Sequence, residues 1–226
     1  VVVRYTKLEH PGGVYIYRVH KAKLDSLCTD DIIKLKEYLD VVFDTCPDTY
    51  FHSGPRGSSL KFSTTHSTLD LRGHRVCDFA KNGLTINKER FKSNHSKVQL
   101  FMLENDQNTI AIEVPIWLHA EELKGYQTLF KSDEPLTGHI DVLSIEDGKI
   151  WVWDYKPNAH REKYANTQVY FYTLMLSQRT GIPLEKFMCG YFDADRAYMF
   201  KPEPIKHKNM DCETLTPHLT LVEDHP

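Results

Sequence analysis

Asp154 and Lys156 stand two positions apart in the run "IWVWDYKPNAH", residues 150–160, whose first half otherwise reads as buried sheet. A carboxylate and an ammonium are costly to bury unless they are paired, so a second charged group is needed close by. Asp147-Gly148 shows where to look, because a type I′ turn needs positive φ at both central residues and Asp-Gly tolerates it. With those two at the tip, Glu146 pairs with Lys149, Ile145 with Ile150 and Leu143 with Val152; Asp141 then lies opposite Asp154 and His139 opposite Lys156. Ile150, Val152, Asp154 and Lys156 share a face with Ile145, Leu143, Asp141 and His139, while Trp151, Trp153 and Tyr155 take the other. Directly opposed side chains have Cβ atoms about 4.5–5.5 Å apart, and like charges in that relation are destabilising. Lys156 offers one compensating charge, and a hard divalent cation bridging both acids would offer two more. The competing reading makes the two acids rim residues and Lys156 a surface ion-pair partner. "HID" and "DYK" favour a site instead, since both lie far from the turn, beside apolar or aromatic neighbours and in mutual register.

The elements that must position these residues are legible in outline. From Asn87 the chain reads as a helix in "NKERFKSNHSKVQLFMLEN", a strand in "TIAIEVPIWL", the two hairpin strands "LTGHIDVLSI" and "KIWVWDYK", and a helix from about Arg161 to Arg179. Gly181 and Pro183 stop that helix, and "FMCGYFDAD" and "AYMFKP" are further short strands. This order predicts an α/β fold with a mixed central sheet. Ahead of it, residues 1–86 read as a less regular N-terminal extension packed on the core. It has an apolar alternation in "GGVYIYRVH", a Gly/Ser/Pro-rich stretch "HSGPRGSSLKFSTTHS", and a helix in "TDDIIKLKEYLDVVFDTC". Thr29 is placed to cap that helix, Asp30 and Asp31 suit its positive end, and Ile32, Leu35, Leu39, Val42 and Phe43 form its apolar stripe. Residues 202–226 read as a loose tail.

"GHID" (138–141), "DYK" (154–156) and "QVYFY" (168–172), in this order, resemble the PD-(D/E)XK nuclease superfamily, and within it the RecB-like branch of DNA exonucleases. The resemblance spans roughly residues 87–201 and implies a restriction-endonuclease-like core of helix, three strands, helix and strand. It implies that Asp141 and Asp154 hold one or two Mg²⁺ or Mn²⁺ ions, with the Tyr155 carbonyl as a further ligand, and that Lys156 orients or helps deprotonate the attacking water. A metal suits the chemistry, because a phosphodiester is an anionic, reluctant electrophile. Gln168 and Tyr172, four apart on one helix face, correspond to the branch's Q-x-x-x-Y signature near bound DNA. Glu113 resembles the branch's upstream acid. His95 is the first candidate for its upstream histidine ligand, with His66 and His74 as alternatives. Iron–sulfur relatives, such as the CRISPR-adaptation nucleases, carry a close set of three cysteines behind the core. Here only Cys189 and Cys212 follow it, so no iron–sulfur cluster is expected.

Local cations could meet nucleic acid: Lys88, Arg90, Lys92 and Lys97 before the strands, and His160, Arg161 and Lys163 after "DYK". Tyr164, Tyr170 and Trp117 are stacking candidates, although core packing is the commoner use of each. The 226 residues, 41% apolar and 26% charged with a formal charge of −3, suffice for one sizeable core and give no global basic field. No apolar run reaches the roughly 18 residues of a membrane span, and the start lacks a signal-peptide layout. Five scattered cysteines fit reduced thiols, and the chain is read as soluble, cytoplasmic or, if processed, from an organellar matrix. The expected function is an Mg²⁺- or Mn²⁺-dependent DNA exonuclease acting on single-stranded or end-bearing DNA, with a helicase or self-association as possible company. The rivals are a nuclease of the same fold acting on RNA or branched DNA, a non-catalytic scaffold, and a metal-free carbohydrate- or protein-binding domain.

Overall fold

Alternating apolar residues build a single sheet, and residues from both halves of the chain contribute to it. The computed structural model describes residues 2–64 and 66–204. The chain starts with the hairpin β1 (Val3–His10) and β2 (Gly13–His20), then α1 (Lys21–Leu27) and α2 (Ile33–Thr45). Next come β3 (Leu69–Arg72), α3 (Arg75–Ile86), α4 (Asn94–Asn105), β4 (Thr109–Leu118) and the short α5 (Tyr126–Phe130). The hairpin β5 (Leu136–Glu146) and β6 (Lys149–Tyr155), α6 (Ala165–Thr180), β7 (Phe187–Phe192) and β8 (Arg196–Phe200) complete it. The eight strands run in the order β1-β2-β4-β5-β6-β7-β8-β3. Among the described residues only β6 and β7 pair as parallel strands, as two strands joined by a crossover helix must, so the sheet is mixed. The fold is thus α/β, with the element order of a restriction-endonuclease-like core. The residues before 87 supply β1, β2 and β3, extending this sheet at both edges.

Helices cover both faces. On one, Leu24 of α1, Leu35 and Leu39 of α2, and Val169 and Leu174 of α6 pack against Leu143, Ile150 and Val152. On the other, Val76 and Ala80 of α3 and Val98 and Met102 of α4 pack against Val142, Trp153 and Tyr155. The Trp151/Trp153/Tyr155 face therefore forms as the alternation predicts. Gly190 of β7 lies under the Trp153 ring, where a Cβ would overlap it.

Three helix starts differ from the sequence reading, each for a local reason. Thr29 makes no side-chain cap bond; Asp30 takes a left-handed φ of 46° in a separate 3₁₀ turn, Asp30–Ile32, and α2 begins only at Ile33. Asn87 closes α3 and its side chain donates to the Lys97 carbonyl (2.9 Å), so the basic stretch from residue 88 to 92 is a connection and α4 starts at Asn94. Ala159–Arg161 forms a 3₁₀ turn pinned by the Ala159 N–H on Asp193, which delays α6 to Ala165. Its stop is as expected, with Gly181 at φ 64°. No helix among the described residues is long and apolar enough to cross a membrane. Cys212 and all but the first residues of the expected tail lie outside the described residues.

Candidate active site

Asp147 and Gly148 both have positive φ (50° and 69°), giving the expected turn, and the ladder runs from Glu146–Lys149 to Val142–Trp153 in the expected register. There it stops. The Tyr155 N–H donates to the Asp141 carboxylate (2.8 Å), and the Lys156 N–H donates to the Phe192 carbonyl in β7 (2.8 Å). His139 pairs with Pro115 of β4 and has no ladder partner at Lys156, which corrects the expected end of the hairpin. Asp141 and Asp154 thus sit where β5 and β6 part, with a carboxylate taking an N–H that a carbonyl would otherwise take.

The other side of β5 is equally irregular. Ile112–Val142 and Val114–Ile140 bracket Glu113, which falls opposite Asp141 and holds a left-handed φ of 53°. Such a backbone costs of order 1–3 kcal/mol in a non-glycine residue and persists where the surroundings over-determine it. Its consequence is visible in the packing. Ile112 and Val142 lie in the core against α3 and α4, while Val114 and Ile140 lie in the core against α6. The alternation of both strands slips by one at the Glu113–Asp141 pair, and two carboxylates occupy the slip.

Burial and neighbouring charge act together on these acids. Burial first, then Asp141, pushes Glu113 up to about 8, although Gln99 of α4 donates to it (2.7 Å). Burial, then Asp154, pushes Asp141 up to about 6. Asp154 is 2% exposed. Lys156 places Nζ 2.8 Å from its Oδ2 and donates to Gln168 Oε1 (2.9 Å). Gln168 Nε2 donates in turn to Asp154 Oδ1 (2.9 Å) and to the Tyr172 hydroxyl (3.1 Å). Burial disfavours the Lys156 charge, but Asp154 and Asp141 outweigh it and hold the ammonium protonated. The Tyr172 ring is wedged between Gly57 and Gly138, where either Cβ would overlap it. His95, in the first turn of α4, places Nε2 3.7 Å from Asp141 Oδ2, its ring edge-on to Tyr155.

One cavity of about 240 Å³ gathers His95, Glu113, Asp141, Asp154, Lys156, Gln168 and Tyr172, residues spread over 78 positions of sequence. His139, expected on this face, also lines it, and the rest of its wall was not foreseen: Tyr15, Arg56 and Ser58. Tyr15 stacks on His139 (3.7 Å between centroids), whose Nε2 meets His10 Nδ1 (2.8 Å); His10 Nε2 meets Asp48 (2.8 Å). Burial lowers both histidines, so both rings are neutral and the proton order follows from Asp48: His10 donates to Asp48, and His139 donates to His10. His139 Nδ1 is left as a buried lone pair without a hydrogen-bond partner. His10, Cys46 and Asp48 also bring three possible ligand atoms within 4.8 Å, but there Asp48 already accepts from His10.

The remaining candidates lie elsewhere. His66 meets the Glu203 carbonyl (2.9 Å), and His74 caps α3 by accepting from Val76 N–H. Lys88 and Lys92 are exposed beyond the cavity wall, and Arg90 is bound by Glu104 (3.0 and 3.1 Å). Lys97 donates to Asn94, Arg161 is exposed, and Lys163 lies over Tyr164. His160 lines a separate groove of about 630 Å³ beside Tyr155. Tyr170 is core, and Trp117 packs against the core beneath Arg179. Gly/Ser/Pro content marked the Arg56 stretch as a loop, and a cation between Pro55 and Gly57 was the one signal that it does more.

The donors present fit a hard divalent cation. Three carboxylates share one place with one ammonium, and an imidazole adjoins them. A family model described as the PD-(D/E)XK nuclease superfamily matches residues 72–223, which include every one of these donors. No curated protein matches the chain.

Proposed function

The chain belongs to the PD-(D/E)XK nuclease superfamily, and we propose that it is an Mg²⁺- or Mn²⁺-dependent deoxyribonuclease of the RecB-like kind, an exonuclease on single-stranded or end-bearing DNA. The observation that carries this reading is Gln168, which bonds Asp154 and Lys156 at once and reaches Tyr172 four residues on. A structural D-x-K at a sheet rim has no use for such a bridge. In our reading Asp141, Asp154, Glu113 and His95 hold the cation, with the Tyr155 carbonyl as a further donor. The cation, when bound, neutralises charge on the phosphate and lowers the pKa of water.

The chain's own groups do the positioning. Lys156, kept as an ammonium by its carboxylate neighbours, orients the water or the phosphate by donating hydrogen bonds; in this state it has no lone pair with which to take a proton. Gln168 fixes the ammonium against Asp154, and Tyr172, held as a phenol by burial, fixes Gln168. The test is digestion of end-labelled single- and double-stranded DNA, linear and circular, and of RNA, with Mg²⁺, Mn²⁺ or EDTA. Cleavage of linear but not circular DNA, abolished by EDTA, is the expected result. Cleavage of RNA alone would move the substrate, and no cleavage with either metal would refute the nuclease reading.

A further inference from the structure

We propose that the loop Pro55–Ser58, which precedes the family-matched residues, is the cavity's phosphate grip, with Arg56 binding the oxygens of a nucleic-acid phosphate; this rests on the nuclease reading above. Three independent observations point to it. The first is charge. Arg56 lines the cavity, and its hydrogen bonds go to neutral acceptors, the Pro11 carbonyl and the Tyr15 hydroxyl (2.6 Å for the latter). Arg4, Arg75, Arg90, Arg179 and Arg196 each pair with a carboxylate, whereas Arg56 has no carboxylate partner among the described residues. A guanidinium has five donors, so two bonds leave a fork free for an oxyanion.

The second observation is the loop's fixation. Thr137 N–H donates to the Pro55 carbonyl (3.0 Å), and Arg56 bridges Thr137 in parallel, so the loop is annexed to the start of β5, four residues from Asp141. Gly57 then packs so close to the Tyr172 ring that a Cβ would overlap it. The ring that holds Gln168 on Asp154 and Lys156 therefore also holds the residue next to Arg56, and the guanidinium is indexed to the reacting end of the cavity. The third is charge balance. With a divalent cation bound and all three carboxylates ionised, they and Lys156 sum to two negative charges, the cation cancels them, and an arriving phosphodiester brings one more. Arg56 is the cavity's remaining cation to meet it. Ser58, exposed on the same wall, adds a hydroxyl donor.

The basic residues at 88–92 and 160–163 line other surfaces, so the grip predicts a local effect at Arg56 that they do not share. The experiment measures binding of a short fluorescent single-stranded DNA by anisotropy in Mg²⁺ across a salt series, in a Lys156→Ala background to stop turnover. Loss of one phosphate contact lowers the slope of log affinity against log salt by about 0.7 for single strands. Arg56→Gln is expected to show that loss and Arg56→Lys to recover the slope, with the Mn²⁺-induced melting shift unchanged in both. A slope unaltered by Arg56→Gln, in protein whose Mn²⁺ shift shows an intact site, overturns the grip while leaving the nuclease reading standing. Undiminished cleavage by Lys156→Ala instead strikes at the role given to Lys156 above. Failure of the oligonucleotide to bind at all overturns both.

Discussion

Lys156 separates the functional from the structural account most sharply. Near the scissile phosphate, its loss should reduce cleavage by orders of magnitude under saturating Mg²⁺ while the oligonucleotide still binds; as an ion-pair partner alone, its loss should change stability only. Because Asp154 is buried, stability will also fall in the apo protein, by up to about 3–5 kcal/mol, the cost of stranding one member of a buried pair. Asp154→Asn should differ by weakening metal binding as well, since an amide is a poorer ligand for a hard cation. Parallel calorimetry and single-turnover cleavage on the two variants read that contrast. The raised carboxyls make a second prediction. Glu113 and Asp141 are pushed above their ordinary values, so between about pH 4 and about pH 8 the native state holds protons that the unfolded chain has lost. The native protein binds more protons there, and the contribution of these two groups to stability must fall as pH rises through that window. A cation that prefers the ionised acids should expel those protons. At pH 7, Mn²⁺ titrations in buffers of different ionisation enthalpy should report net proton release, and Glu113→Gln should diminish it. Equal heats in all buffers would contradict the raised acids.

At the scale of elements, the site is made by departures from regular structure. The hairpin was legible because Asp147-Gly148 fixes both turn and register, and Gln168 and Tyr172 because a helix brings residues four apart together. The parting of β5 from β6 and the slip at Glu113 were not legible, since a period-two pattern carries no sign of a side chain taking over a ladder bond or of a left-handed residue within a strand. The ring of Tyr172 ties α6, β5 and the Arg56 loop together through two glycines. Tyr172→Phe keeps the ring and removes only the hydroxyl, whereas Gln168→Ala removes the bridge. Both should impair DNA engagement or turnover with the Mn²⁺ melting shift preserved, the second more severely, and wild-type kinetics in both would reduce the motif to packing. Gly138→Ala and Gly57→Ala act on the ring itself. Each should destabilise by about 1–3 kcal/mol, the usual cost of overpacking, seen as a lowered denaturation midpoint.

Across the whole molecule, the mixed sheet and its helix order could be read from residue 87 onward, but the part played by the N-terminal residues could not. Their contribution depends on contacts far apart in sequence: Tyr15 from β2 stacked on His139 of β5, and Arg56 bridged to Thr137. His10, His139 and Asp48 look like unrelated polar residues until β1 and β5 bring them together. This architecture gathers three carboxylates at the junction of strands that carry cores on both faces, so repulsion there is borne by the entire fold. Relief of it should be equally global. A cation that binds only the folded chain stabilises it by about 2.7 kcal/mol at one hundred times the dissociation constant. Mn²⁺ or Mg²⁺ should therefore raise the melting temperature in a concentration-dependent way, and EDTA should reverse it. Glu113→Gln should narrow that shift, because the bound form loses a ligand while the apo protein, whose Glu113 is already protonated at pH 7, gains little. A melting temperature indifferent to saturating Mn²⁺, with no heat of binding, would remove the metal from this site.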